Sequence, residues 1–165
     1  MRRWLLAAGI LLALGGSGAP AQEPIYGDFG VALGQPFDQR LAQGTVMLPG
    51  NIEAYRFQPA YPLYLFRDYY AVVTPRSRLV AGIVARSVDF SSMPECVTHL
   101  NAVQGFLGRY GLPQVAAQTD REVMVQIDQG NRAVYLRCNR ASHIRMELNY
   151  ADYQMLQLRA QEAGK

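Results

Sequence analysis

Cys96 and His99 stand three residues apart in a segment that reads as the first turns of a helix, Ser92-Met93-Pro94-Glu95-Cys96-Val97-Thr98-His99. A thiol near a helix N-terminus with an imidazole on the same side is one pattern of a nucleophilic cysteine, because both features favour the thiolate. The competing reading uses Cys138, the only other cysteine. It falls on the apolar side of an alternating run, Arg132 to Asn139, together with Val134 and Leu136. Both sulfurs then point into one core. Two inward-facing cysteines in an exported chain read as a single disulfide, Cys96–Cys138, and this is the reading preferred over a nucleophile.

Other chemistry has less to stand on. The two histidines, His99 and His143, form no H-x-x-x-H pair, and the cysteines form no C-x-x-C pair, so no metal site is expected. The chain has no G-x-S-x-G, no H-E-x-x-H and no phosphate-cradling glycine loop, so no cofactor and no catalytic residue are assigned. Thirteen carboxylates are present, but no spacing singles out an acid/base pair. Binding has more to work with. Tyr55, Phe57, Tyr61, Tyr64, Phe66, Tyr69 and Tyr70 fall within 16 residues. Tyrosine offers rigid contact area at low entropy cost, so Tyr61, Tyr64, Tyr69 and Tyr70 are the candidate binding surface, for a glycan or an envelope protein. The alternative is that these rings close the core where a sheet ends. A second polar row, His143, Arg145 and Glu147 beside Tyr135 and Arg137, reads as a recognition face or as a solvated sheet surface with cross-strand charge pairs.

The N-terminus bears on where this chemistry would operate. Arg2 and Arg3 precede the apolar run Trp4–Leu14, and Ala19-Pro20-Ala21 follows as a cleavage site. Residues 1–21 therefore read as a secretory signal peptide, since the run is shorter than the roughly 20 residues needed to span a bilayer. No later segment reads as a membrane span. The mature chain, Gln22 to Lys165, is expected to be one domain, exported and periplasmic in a two-membrane bacterium. Losing Arg2 and Arg3 leaves 14 basic against 13 acidic residues, which gives no basic face for nucleic acid.

The elements that must position these residues follow from periodicity. Gln35–Gln43 reads as a short helix, with Pro36 in its first turn and Gly44 closing it. Strands are expected near 54–57, 69–74 and 79–87, the last apolar on both sides and so central. A helix runs from the Ser92/Glu95 capping box to Gly111, where Pro113 forbids continuation. Gly105 and Gly108 within it suggest close approach to a sheet. Strands at 122–128, 132–139 and 143–150 alternate as an antiparallel meander with one face wet, and Asp152–Ala163 closes the chain as an amphipathic helix resting on Tyr153, Leu156 and Ala160. The expected class is α+β: an antiparallel sheet with helices packed mainly on one face, in the order α-βββ-α-βββ-α, which suggests an internal repeat.

Phe29-Gly30-Val31-Ala32-Leu33-Gly34-Gln35-Pro36-Phe37-Asp38 resembles the glycine-then-short-helix opening of small exported α+β domains. Among these are the BamE-type outer-membrane assembly lipoproteins and the β-lactamase-inhibitor-like proteins, and the helix-then-strands order is similar too. The resemblance covers about half the chain and carries no functional residue across. The lipid-attachment cysteine of the BamE lipoproteins is absent. What it implies is an accessory protein of the cell envelope. The expected function is thus a non-enzymatic binding or accessory module. A small periplasmic enzyme with acid/base residues that the pattern does not reveal, and an inhibitor of an exported enzyme, remain the alternatives.

Overall fold

The computed structural model describes residues 21–164. The expected signal peptide lies outside them except for Ala21. The fold is α+β, a large antiparallel sheet flanked by two helices that pack against it. After a small ribbon, β1 (Gly27–Asp28) and β2 (Val31–Ala32), the chain builds β3 (Ala42–Leu48), β4 (Ile52–Phe57), β5 (Phe66–Val73) and β6 (Val80–Ser87). Helix α1 (Met93–Leu107) crosses to β7 (Gln114–Gln118), β8 (Glu122–Gln129), β9 (Arg132–Arg140) and β10 (Ile144–Asp152), and α2 (Tyr153–Ala163) ends the chain. The eight long strands lie in the order β3-β4-β5-β6-β10-β9-β8-β7. Two four-stranded meanders therefore meet at β6 and β10.

This order corrects the expected α-βββ-α-βββ-α. The helix at 35–43 reduces to one 3-10 turn, Gln39–Leu41, capped by Asp38, whose carboxylate accepts from the Arg40 amide. A nine-residue helix is marginal alone, and here the backbone finds stronger partners in a sheet. Pro36 bridges to Leu79, and the chain from Ala42 onward pairs with β4. β3 and β7 add a strand to each unit.

Helix α1 begins as its sequence dictates. The Ser92 hydroxyl accepts from the Glu95 amide, Pro94 sits in the first turn, and Glu95 reaches back to the Ser91 amide and hydroxyl. Met93, Cys96, Leu100 and Leu107 are buried against β8, β9 and β10. The helix tightens into a 3-10 turn at Gly108–Tyr110 and stops at Gly111, whose φ of 141° suits glycine. Gly105 and Gly108 face open space, so close approach is not their use.

The main core lies on the α1 face, where Ile83, Leu136, Cys138, Met146 and Leu148 meet Phe29, Phe57 and Tyr69. Helix α2 lies on the other face, over β6 and β10. There Met155 and Leu156 join a smaller cluster of Leu48, Ala54, Val72 and Ala81. Of the expected stripe Tyr153, Leu156 and Ala160, Leu156 packs on the sheet, joined by Met155, whereas Tyr153 and Ala160 are exposed.

Cys96 and Cys138 form the expected disulfide, with Cα atoms 6.0 Å apart, and both residues are fully buried. It pins α1 to β9 across 42 residues of sequence. Closing such a loop restricts the unfolded chain, a stabilisation of about 4 kcal/mol in the chain-entropy model. Reduction is expected to lower the melting temperature by more than about 10 °C for a domain of this size. Scanning calorimetry with and without reductant measures this, and an unchanged midpoint would contradict it.

Candidate functional site

The four tyrosines proposed as one surface are separated by the fold. Tyr64 is 87% exposed and Tyr61 is also exposed, but Tyr69 is only 3% exposed. Its ring meets Phe29 and Phe57 edge-on, and its hydroxyl accepts from the Leu63 amide at 2.9 Å. Tyr69 is therefore a core residue, corrected from the surface set. Tyr70, its neighbour along β5, necessarily points to the opposite face, where it lies under the Arg86 guanidinium. Tyr64 borders a small apolar groove between Leu63–Phe66 and Ala102, Val103 and Phe106 on α1.

The cysteine–histidine pair does no chemistry, because Cys96 is bonded to Cys138 and the His99 ring stacks on Phe90 at 5.2 Å. His143 and Arg145 turn to Asp89 on the exposed rim. Among the described residues, no group of three His, Cys, Asp or Glu is placed to hold a metal ion. None of their helices is long and apolar enough to cross a membrane.

The remaining polar row behaves differently. Glu147, expected outward and wet, is 8% exposed, and Asn149 two residues on is 4% exposed. Alternation put them on the right face, but that face is covered in part by α2. Pairing sets Glu147 between Arg86 on β6 and Arg137 on β9, and Asn149 between Val84 and Tyr135. Arg86 Nε donates to Glu147 Oε1 at 2.7 Å. Arg137 donates to Oε2 from Nε at 2.9 Å and from Nη2 at 2.6 Å. The register extends the row to both sides. Asp68 faces Arg86 from β5 and is itself bonded by Arg56 at 2.6 Å, while Glu122 of β8 lies 3.6 Å from Arg137. Charges thus alternate in sign across the strands.

Burial pushes the Glu147 carboxyl up, but the charges of Arg137 and then Arg86, with their hydrogen bonds, outweigh it and hold it below its ordinary value. Burial also pushes the Tyr135 hydroxyl up. Glu147 is therefore an ionised anchor with both oxygens engaged, and no free base.

Above this row opens a cleft of about 230 Å³ on the α2 face, walled by Leu48, Ile52, Val72, Val84 and Leu156 and floored by Asn149, Tyr135 and the Arg86–Glu147–Arg137 triad. The Asn149 Nδ2 lies in its floor with no hydrogen-bond partner among the described residues. A buried amide donor without a partner carries its full desolvation cost, so its retention needs a reason. A larger hollow of about 340 Å³ lies beside Gln22, Leu112 and Gln126, but Asp128 is its one ionisable residue. In comparisons with known proteins, the chain matches no family model, no curated sequence and no solved structure.

Of the polar row His143, Arg145 and Glu147 beside Tyr135 and Arg137 that the sequence marks, the fold brings Tyr135, Arg137 and Glu147 to the cleft floor and leaves His143 and Arg145 on the rim. Arg86 and Asn149 carry no local sequence signal, and only the β6–β10 register brings them to the same site.

Two outcomes test this site. Asn149→Leu removes the unpaired donor and is expected to raise stability by about 1 kcal/mol in chemical denaturation; a loss of that size would mean the amide is bonded in the native state. Glu147 has a folded-state pKa below the unfolded one, so its stabilisation is present above about 4.5 and lost as pH falls through the depressed value. Glu147→Gln should thus cost about 2 kcal/mol at pH 6, with the gap to the native protein closing towards pH 3. A gap independent of pH in denaturation series would refute the assignment.

Proposed function

We propose that the chain is an exported, non-enzymatic binding protein of the cell envelope, and that the cleft over Asn149 takes a small ligand. The observation that carries this reading is the unpartnered Asn149 amide in the floor of a cleft with apolar walls. Small-ligand sites have this composition: apolar walls with a few fixed polar groups that orient the ligand. Binding is favoured over catalysis because the buried carboxylate, Glu147, is committed to two guanidiniums and is not poised to move a proton. Export, with the periplasm as destination, is supported by the leader pattern and by the buried disulfide, which persists in oxidising compartments.

A second reading, capture of an envelope protein, is favoured by the exposed Tyr64 beside the groove on α1. Fragment screening by amide NMR separates the two. Hits are expected to shift Val84, Asn149 and Leu156, on a mature chain whose intact mass begins at Gln22. Hits confined to Leu63–Phe66 and Ala102–Phe106 would displace the cleft in favour of the second reading, and a mass retaining residues 1–21 would refute processing.

A further inference from the structure

We infer that the ligand of this cleft carries a carboxylate on an unbranched apolar body of about eight carbons; the inference rests on the reading of the cleft as the binding site. The polar end of the cleft is rich in donors and has no free carboxylate; its remaining acceptors are the neutral Asn149 Oδ1 and the Tyr135 hydroxyl. Both Glu147 oxygens are occupied, Oε1 by Arg86 and Oε2 by Arg137. The neighbouring carboxylates are also engaged, Asp68 by Arg56 and Glu122 beside Arg137. On the donor side, Arg86 lines the cleft and gives only its Nε to Glu147, its two terminal nitrogens having no bond among the described residues, and the Asn149 Nδ2 is unpaired. The row as a whole is balanced by Asp68 and Glu122, but these lie outside the cleft lining, where two guanidiniums stand against the one carboxylate of Glu147. An amine placed here would meet donors and like charge. A carboxylate would receive the Asn149 amide and the Arg86 fork, which suits a planar two-oxygen acceptor.

The rest of the cleft sets the body of the ligand. The residue pairs Arg86/Glu147, Val84/Asn149 and Gly82/Ala151 are successive same-face rows, about 7 Å apart along the strands. Polarity falls along them, from the ion triad through the amide to glycine and alanine between Leu48, Ile52 and Leu156. A cleft of about 230 Å³ equals roughly eight water volumes, which suits a short chain and is too small for a two-chain lipid. Gly82 leaves the apolar end without a side chain that would block an extended chain.

Calorimetric titration of the disulfide-bonded protein with n-octanoate, 1-octanol and octylamine tests the inference. Octanoate is expected to bind at least tenfold more tightly than octanol, and octylamine not at all. Asn149→Ala is expected to weaken octanoate at least tenfold while leaving octanol within twofold. Octanol or octylamine binding as tightly as octanoate would overturn the carboxylate assignment, as would octanoate binding that ignores Asn149→Ala. If octanol matches octanoate while shifting Val84 and Leu156 in the NMR spectrum, the carboxylate falls and the cleft stands as a site. If none of the three binds, the inference falls, and a fragment screen blank at the cleft then removes the site as well.

Discussion

The pairing of β6 with β10 is the constraint on which the rest of this structure depends. It is the one place where the two meanders join in the large sheet, over the register from Glu147↔Arg86 to Ala151↔Gly82. Gly82 permits it: a Cβ there would come within 3.2 Å of the Tyr150 carbonyl oxygen. The side-chain period of a strand is two, so a slip of one residue would send Val84 and Arg86 to the α1 face and put Ile83 and Ala85 under α2. The same register that closes the apolar core therefore sets Arg86 beside Glu147. The disulfide acts one strand further on, holding α1 over β9.

The α1 face is closed by the segment before the large sheet. Residues 22–34 read as an extended lead-in, yet Ile25, Phe29 and Leu33 are each about 1% exposed. Polar groups hold this segment down. The buried Asp28 accepts from the Tyr150 hydroxyl at 2.6 Å, from Arg109 Nη2 at 2.5 Å and from the Phe29 amide at 2.8 Å. Burial, with the Asp28 charge beside it, keeps the Tyr150 hydroxyl protonated as a donor. Phe29 is held at a φ of 61°, unusual for a bulky residue, and its ring is the return for that strain, packing edge-on against Tyr69 and Tyr150. Arg132 adds bonds to the Ile25 and Leu33 carbonyl oxygens and to Asp152. On the other face, among the described residues, the cover is α2.

The parts of the fold legible in the sequence are those where one face is uniformly apolar. Val134, Leu136 and Cys138 alternate cleanly, and the Ser92–Glu95 cap marks the start of α1. β3 and β7 were not legible, because Gln43, Gly44, Gln114 and Ala116 give weak strand signals and the pairing itself stabilises them. The site was half legible. Alternation says which side of a strand a residue occupies, but not what covers that side. Glu147 and Asn149 therefore looked solvated, and the adjacent Tyr69 and Tyr70 looked like one surface although adjacent strand residues face opposite ways. Arg86 lies 61 residues from Glu147, and no local pattern announces such a pairing.

The way α2 is held explains how a cleft persists beneath it. Its start is fixed by Asp152, which accepts from the Met155 amide and from Arg132, and by the Tyr153 amide bonding the Asn131 carbonyl oxygen. Near its end, Glu162 accepts from the Arg76 and Ser77 amides and the Ser77 hydroxyl. Between these anchors no residue of α2 is fully buried. A helix whose apolar seat is only Met155 and Leu156 has too little contact to sink over Gly82 and Ala151, although close packing is what burial rewards. One suspended by polar contacts at both ends keeps its distance. The apolar gap and the unpaired amide in its floor then follow from the same arrangement, in which the cover over Asn149 is set by hydrogen bonds and its packing is left incomplete.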